Sequence, residues 1–160
     1  MTRKKPWNRV NLPVYSVASY WNGKYNLHIC TYASAISMHP KRFLVCIYKG
    51  TQTLLNIENN PEFVLQIMEA GQYNLVNLLG KKSGKLVDKI KLLEKRNLLI
   101  EWQGFKILKD CLSVIRLKVI SQFDGGDHIS FVCDVKTYKN LNDGKSLSLD
   151  KLRERGIVSI

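Results

Sequence analysis

The stretch "NLHICTYASAISMHP", residues 26–40, decides how the rest of this 160-residue chain is interpreted. It begins like a buried strand, fills with small and hydroxyl side chains, and ends at Pro40. Small side chains let a flat ring system lie close to backbone N–H donors, and hydroxyls such as Thr31, Ser34 and Ser37 can bind a phosphate or a polyol chain. The residues alone leave two interpretations open. One is an ordinary strand with a Ser-rich loop, which composition favours; the other is a cradle for a nucleotide-like ligand.

Length and composition predict a single domain over residues 1–160, with the 45% apolar and 24% charged content of a globular protein. No stretch approaches the roughly 20 consecutive apolar residues of a membrane helix, and we expect no membrane association. The four cysteines are scattered without a C-x-x-C pair. This spacing argues against zinc and against a disulfide framework, so we expect no bound metal and a cytoplasmic location.

The formal net charge of +12 leaves several partners open. Nucleic acid, an anionic membrane face and a phosphorylated small ligand would each suit a basic chain. A solvated basic surface without a partner is an equally good interpretation. The lysine clusters at residues 81–85 and 89–91 are short and dispersed, and neither forms a long basic tail.

Strand signals dominate the chain. Asn22-Gly23 and the run Asp124-Gly125-Gly126-Asp127 predict hairpin turns, and the continuous apolar run 43–48 is typical of a strand buried on both faces. Apolar periodicity predicts strands over residues 13–21, 24–32, 43–48, 62–68, 98–102, 112–123 and 129–138, and helices over 51–60, 72–80, 86–96 and 149–155. At least six strands with inserted helices predict a barrel or an α+β fold rather than a doubly wound sheet.

Sequence motifs for protein-based catalysis are missing. The chain has no nucleophile elbow, no Walker loop, no H-E-x-x-H and no Rossmann G-x-G-x-x-G. Acidic residues are few and lie mostly in predicted turns and helices, which gives a carboxylate-pair hydrolase poor support. We expect no catalytic side chain of the nucleophile or carboxylate kind. If there is catalysis, a cofactor performs it and the protein binds and orients the reactants.

Several segments resemble the flavin reductase-like, FMN-binding split-barrel family. They are "LPVYSVASYWNGKYN", "TYASAIS" ending in "SMHP", "FLVCIY" and "KGTQTLLNIENNPEFVLQIM", followed by "KKSGKLVDK" and "GGDHISFVCDV". They occur in the family's order over roughly residues 10–140. His39-Pro40 stands where the family usually has Pro-Pro, and Tyr32 and Ala33 differ from its commoner choices.

The resemblance implies a mainly β fold, a six-stranded antiparallel split barrel with Greek-key connections and flanking helices. It implies a homodimer that binds FMN, with FAD as an alternative, near the subunit interface. It further implies an NAD(P)H-dependent oxidoreductase that passes hydride to flavin, and onward to a monooxygenase or another acceptor. Hydride transfer between stacked rings needs no protein nucleophile, which agrees with the missing catalytic motifs.

The resemblance also implies a set of flavin-binding positions. Some match the strand along the ring, some the loops at the ring edge or the phosphate, and one the Gly-Asp-His turn beside the substrate face. They are Asn26, Cys30, Thr31, Tyr32, Ala33, Ser34, Ser37, Lys49, Thr53, Ser83, Lys89 and His128.

Two alternatives remain at this stage. A non-catalytic flavin carrier or sensor on the same fold would bind FMN without accelerating NAD(P)H oxidation. A basic β-barrel that binds nucleic acid would need exposed aromatic residues between basic ones. In "LSVIRLKVISQF" only Arg116 and Lys118 alternate, with no aromatic residue between them, so we rank this hypothesis lowest.

Overall fold

The computed structural model describes residues 4–159, and its main element is an antiparallel β-sheet. The strands are β1 (Tyr15–Trp21), β2 (Lys24–Cys30), β3 (Ala33–Ser37), β4 (Arg42–Tyr48), β5 (Glu62–Ile67), β6 (Leu99–Trp102), β7 (Phe105–Leu108), β8 (Ser113–Asp124) and β9 (His128–Asn140). The α-helices are α1 (Gln52–Asn59), α2 (Val76–Lys81), α3 (Lys89–Lys95) and α4 (Leu149–Glu154). Short 3₁₀ helices occupy Pro6–Asn8 and Ala70–Leu75.

The main sheet has seven strands in the order β2-β1-β5-β8-β9-β4-β3. Its two terminal strands, β2 and β3, are joined directly through Thr31 and Tyr32, so the sheet curls round into a split barrel. The family resemblance implies six strands, whereas this sheet has seven; the sequence predicted one strand over residues 24–32 and none over 33–37, where β3 forms. The chain leaves β2 after Cys30, and the amide of Cys46 donates to the carbonyl of Tyr32 at 2.9 Å, which starts a separate strand.

Turn chemistry sets the register of the hairpins. Asn22 and Gly23 have φ values of 51° and 77°, the left-handed conformations that a two-residue turn between β1 and β2 requires. The long β8–β9 hairpin turns at residues 124–127 as predicted, and its tip returns His128 opposite Tyr48 of β4. A second hairpin, β6–β7, turns at Gln103-Gly104 and forms a separate two-stranded sheet, which the sequence did not predict.

Two apolar clusters hold the fold together. One fills the barrel, where Val17, Val45, Phe63, Leu117 and Phe131 are fully buried. The other packs α2, α3, α4 and the β6–β7 hairpin against the outside of β1, β2 and β5, while α1 packs against the barrel cluster. Burial of this kind contributes about 25 cal/mol for each Å² of apolar surface.

Strand β4 is buried on one face only, although its continuous apolar run predicted a strand buried on both faces. Val45 and Ile47 point into the barrel and are fully buried, while Tyr48 is 52% exposed. The opposite face, which carries Cys46 and Tyr48, borders a cavity instead of a second apolar layer. Within residues 4–159 no helix is long and apolar enough to cross a membrane, and no three His, Cys, Asp or Glu side chains cluster to hold a metal ion.

Candidate functional site

Two adjoining cavities lie over β2. The first, which we call the ring cavity, has a volume of about 260 Å³ and is lined by His28, Ile29, Cys30, Thr31, Tyr32, Cys46, Tyr48 and His128. The second, which we call the central cavity, has a volume of about 450 Å³. It is lined by Asn26, His28, Ile29, Tyr48, Lys49, Gly50, Thr51, Gln52, Gly80, Lys81, Lys82, Ser83, Gly84 and Lys89. Because the two share His28, Ile29 and Tyr48, they form one continuous groove.

Aromatic side chains surround the ring cavity. The ring of His128 lies 5.1 Å from that of Tyr32 and 5.3 Å, edge-on, from that of Tyr48, measured between centroids. Both tyrosines are more than half exposed, so their faces are available to a ligand. A planar heterocycle would gain stacking contacts from such a cluster. This part of the groove therefore suits a flat ring system.

The central cavity is strongly positive. Its lining includes four lysines, Lys49, Lys81, Lys82 and Lys89, and among the residues that line it within 4–159 there is no carboxylate. The first turn of α1 also borders the cavity, since Thr51 and Gln52 line it. Helix N-termini favour anions through their free N–H groups and the helix dipole. Lysines, hydroxyls and a helix N-terminus together fit a phosphate group.

The N-terminus of α1 is held by its capping residue. The Oγ1 of Thr51 accepts a hydrogen bond from the amide of Leu54 at 3.2 Å and donates one to the carbonyl of Tyr48 at 2.9 Å. Thr51 therefore ties the helix to the end of β4. Gly50, with a φ of 83°, provides the left-handed turn that connects them.

Lys89 lies at the bottom of the central cavity and is only 2% exposed. Its ammonium donates to the carbonyl oxygens of Leu79, at 2.7 Å, and Leu27, at 3.2 Å. Burial lowers its pKa from 10.5 to about 8. Two of its three donors are committed to the backbone, so Lys89 contributes mainly a fixed positive charge beneath the cavity.

His28 stands where the two cavities meet. Burial, with smaller contributions from the charges of Lys89 and His128, lowers its pKa to about 4. The imidazole is therefore neutral at physiological pH and can accept or donate a hydrogen bond without adding charge. At the far end of the ring cavity, burial raises the pKa of the Cys30 thiol to about 12, so that thiol stays protonated.

The β8–β9 turn places charged groups beside both cavities. The Lys49 ammonium donates to both carboxylate oxygens of Asp124 at 3.0 Å. The Asp124 pKa is lowered, first by a hydrogen bond from the amide of Gly126 and second by Lys49. In the same turn, Nδ1 of His128 lies 2.6 Å from Oδ1 of Asp127. The turn thus orients both Lys49 and His128.

Eight of the predicted flavin-binding residues line the groove: Asn26, Cys30, Thr31, Tyr32, Lys49, Ser83, Lys89 and His128. Thr53 is fully buried beneath it, where its Oγ1 accepts a 2.9 Å hydrogen bond from Nδ2 of Asn26. Ala33, Ser34 and Ser37 lie along β3 and line neither cavity. The hydroxyl of Ser34 donates to the carbonyl of Ala35. For a ligand role, all twelve residues remain predictions.

Sequence reasoning missed several residues that line the groove, above all His28, Tyr48, Thr51 and Lys82. Tyr48 sits in an apolar run that looks like core, and only the pairing of β4 with β9 shows that it faces His128. Thr51 carried a usable signal, since a threonine at the start of the predicted helix 51–60 is a typical capping residue. A cap at the start of a helix also marks a place where an anion can bind.

Comparison with known proteins gives a consistent result. The family model described as "Flavin reductase like domain" matches residues 7–154. No curated protein sequence matches the chain.

Three solved structures share the fold. Flavoredoxin from Methanosarcina acetivorans is 21% identical, with a TM-score of 0.74 over 88% of this chain and 76% of its own. An FMN-binding protein from Thermus thermophilus, solved with bound 1-cyclohex-2-enone, is 22% identical, with a TM-score of 0.75 over 88% and 78%. An NADH:FAD oxidoreductase from Streptomyces globisporus is 16% identical, with a TM-score of 0.77 over 87% and 81%.

Proposed function

Since this chain belongs to the flavin reductase-like family, we propose that it is an NAD(P)H-dependent oxidoreductase that binds FMN in the groove over β2. The observation that supports this proposal is the pairing of a ring cavity bordered by aromatic side chains with a central cavity lined by four lysines and, among the described residues, by no carboxylate. The first suits an isoalloxazine ring and the second suits its ribityl phosphate.

Different residues of the groove bind different parts of FMN. Lys82 and Ser83, with the N-terminus of α1, hold the phosphate, Lys49 borders it from its ion pair with Asp124, and Lys89 provides a fixed charge below them. Tyr32 and Tyr48 contact the ring faces and exclude water from them. Asn26 and Thr53 support the floor through their mutual hydrogen bond. FMN supplies the hydride-accepting centre, which no side chain of this chain provides.

His128 borders the ring cavity on the side of the β8–β9 turn. Its Nδ1 lies 2.6 Å from Oδ1 of Asp127, which fixes the orientation of the imidazole. The imidazole can therefore hydrogen-bond a bound acceptor or the carboxamide of a nicotinamide. Its role is one of orientation, since the chemistry belongs to the flavin.

A homodimer is part of the proposal. Strand β3 and the residues after it expose large apolar side chains, with Ile36 at 50% and Met38 at 78% exposure. Exposed apolar groups beside a ligand groove are typical of an interface. A second copy that covers this face would bring Ser34 and Ser37 near a flavin. A Met38→Glu variant should then elute as a monomer in light-scattering chromatography, and a monomeric wild type would contradict the dimer.

The test of the function is direct. Purified protein titrated with FMN should quench the flavin fluorescence at micromolar concentration, and anaerobic stopped-flow mixing with NADH or NADPH should bleach the flavin faster than free FMN is bleached. A Lys49→Ala/Lys82→Ala variant should weaken binding, while the exposed Lys139→Ala serves as control. Absence of FMN binding contradicts the proposal. Binding without accelerated reduction favours the flavin carrier instead.

Nucleic-acid binding gains no support from the strand that motivated it. The guanidinium of Arg116 donates to Glu62 at 2.8 Å and to Gln103 at 3.0 Å, so its charge is already engaged. The proposal also includes a monooxygenase or another acceptor as the final electron acceptor, and a cytoplasmic location.

A further inference from the structure

Positive charge is concentrated in one short segment beside the groove. Residues 81–96, which we call the basic segment, carry seven Lys or Arg and two Asp or Glu, so a tenth of the chain holds a net charge of +5 out of +12. The segment covers the end of α2, the loop after it and α3. The central cavity is lined only by residues 81–84 and Lys89 of this segment. Its remaining charges have no part in the proposed FMN site.

Much of this charge is not compensated within the fold. The two acidic residues of the segment have partners of their own, since Oδ1 of Asp88 accepts a hydrogen bond from the amide of Lys91 at 3.0 Å and Glu94 pairs with Lys106. Three exposed lysines form no ion pair within residues 4–159: Lys85, Lys91 and Lys95. Exposed cations without partners attract an anionic surface and steer its approach.

The basic segment also exposes large apolar side chains between these charges. Leu86 is 87% exposed in the loop before α3, and Leu92 is 41% exposed on α3 itself. Leu92 shares one face of the helix with Lys91 and Lys95, because residues three and four positions apart are neighbours on a helix. Leu86 follows Lys85 directly. Apolar groups within a charged surround are the arrangement of a protein–protein interface.

The segment borders a concave surface. A cavity of about 550 Å³ lies between the first half of β2 and the basic segment, and Lys85, Leu86 and Lys91 line it. This cavity adjoins the central cavity, because the two have three lining residues in common: Asn26, Gly84 and Lys89. A molecule that docks on the basic segment therefore lies directly beside the proposed flavin groove.

Three classes of anionic partner carry the charge that a basic segment attracts, and a protein fits best. A lipid layer presents a flat surface, whereas Leu86 and Lys91 border a concavity. Single-stranded nucleic acid is bound by aromatic side chains between basic ones, and residues 81–96 contain no aromatic residue. An acidic protein surface can place protruding carboxylates in the cavity and an apolar side chain against Leu86.

We propose that the basic segment is the docking surface for an acidic protein, the electron acceptor of the proposed function. Carboxylates of the partner pair with Lys85, Lys91 and Lys95, and an apolar side chain of the partner covers Leu86. The inference rests on the proposed function for the role of the partner, since docking here brings an acceptor beside the flavin. Partner and FMN are then bound at the same time, the one on the segment and the other in the groove.

The probe for this surface is an acidic peptide. A rhodamine-labelled peptide of Glu-Glu-Leu-Glu repeats is titrated with the FMN-loaded protein and followed by fluorescence anisotropy. The same peptide with Gln in place of Glu is the uncharged control. We expect only the acidic peptide to bind, with an affinity that falls as salt is raised. Equal affinities for the two peptides would overturn the inference.

Substitutions in the basic segment test the charges and the apolar contact separately. A Lys85→Ala/Lys91→Ala/Lys95→Ala variant should weaken the acidic peptide roughly tenfold, the order expected for three exposed ion pairs. Leu86→Ser should weaken that peptide but leave a peptide of glutamate alone unaffected. Since all four side chains are exposed, the fold should tolerate these changes. Unchanged affinity in the Leu86 variant would contradict the apolar contact.

A matched control removes the same charge elsewhere. Lys136→Ala/Lys139→Ala/Lys145→Ala lowers the net charge equally at exposed lysines outside the basic segment and its cavity. This variant should bind the acidic peptide nearly as the wild type does. An equal loss of affinity in both triple variants would show a general charge effect and overturn the inference.

FMN fluorescence in the same mixtures reports on the groove. We expect the peptide to bind without releasing FMN, and release of FMN would place the acidic segment in the FMN site and overturn the inference. Phosphatidylserine vesicles and oligothymidylate are the other anionic probes. If either binds through the basic segment while the acidic peptide does not, the partner is a membrane or a nucleic acid and the inference is wrong.

The two proposals can fail independently. If FMN binds and the acidic peptide does not, the docking surface is wrong and the proposed function stands. If FMN fails to bind while the acidic peptide binds and loses affinity only in the basic-segment variant, the proposed function fails. The segment then remains a docking surface for an acidic protein, without the role of electron acceptor for that partner.

Discussion

Replacement of the buried Lys89 by methionine should give a stability loss that grows with pH. The ammonium is 2% exposed and donates to the carbonyls of Leu27 and Leu79. Methionine fills similar volume without charge or donors. At pH 7 the variant leaves two carbonyls without a donor but also removes a buried charge. We expect a net loss of about 1–3 kcal/mol in the free energy of unfolding.

The pH dependence follows from the pKa of Lys89. Burial lowers it from 10.5, the value expected for the unfolded chain, to about 8 in the fold. Between these pH values the unfolded chain binds the proton and the folded chain does not, so the contribution of Lys89 makes stability rise with pH. The interval corresponds to roughly 3 kcal/mol at about 1.4 kcal/mol per pH unit. The variant lacks this gain, so its deficit relative to wild type should increase by up to that amount.

Urea denaturation of both proteins without ligand, at half-unit steps from pH 7 to pH 10.5, measures the difference. Other lysines, tyrosines and cysteines titrate in both proteins, so their effects cancel in the comparison. Lys91→Met is the matched control, since Lys91 is on the same helix but exposed, and its difference should not change with pH. A deficit for Lys89→Met that stays constant across the range would show that the pKa of Lys89 is not lowered in the fold and would refute this reasoning.

Three further changes test other parts of the site. Gly84→Ala should destabilise the fold by about 1–3 kcal/mol in urea denaturation, because the new methyl group overlaps the Asn26 amide. The added substitution Asn26→Ala should recover part of that loss. If the losses of the two single variants simply add in the double variant, the overlap is contradicted. Thr51→Ala removes the cap of α1 and should cost about 1 kcal/mol, seen as a lower Tm, with weaker FMN binding by fluorescence. His128→Gln should change stability by less than about 0.5 kcal/mol and retain FMN, yet slow reduction by NADH in stopped flow; an unchanged rate would remove His128 from the substrate face.

Turn and cap chemistry made much of the fold predictable. Turn and capping residues determine the conformation of only a few neighbouring residues, so their effect can be predicted from local sequence. Examples are Asn22-Gly23, the residues at the β8–β9 turn and Thr51, and the turns and the helix formed where expected. Strand β7 was missed because its turn, Gln103-Gly104, requires a φ of 53° at Gln103, and glutamine is not a residue that predicts such a turn. Strand β3 was missed because its start depends on a hydrogen bond between Tyr32 and Cys46 of β4, which residue spacing does not show.

The site was predictable from family resemblance more than from chemistry. Polar residues in the expected order marked Asn26, Lys49 and Ser83, and these do line the groove. The burial of Lys89 was not visible, because a lysine in a charged helix normally faces solvent. Only the packing of α2 and α3 on β2 turns its ammonium inward. Long-range packing of this kind leaves no trace in residue spacing.

Strand β2 lies at the end of the sheet, and no strand within residues 4–159 pairs with its outer side. An open sheet edge is a template for pairing with another chain and hence for aggregation. Here the Leu27 carbonyl on that edge is taken by the Lys89 ammonium, and helices α2 and α3 cover the rest. Lys89, which provides the charge under the groove, thus also protects this edge from pairing with the edge of another molecule. Its replacement should make the protein aggregate more readily at high concentration.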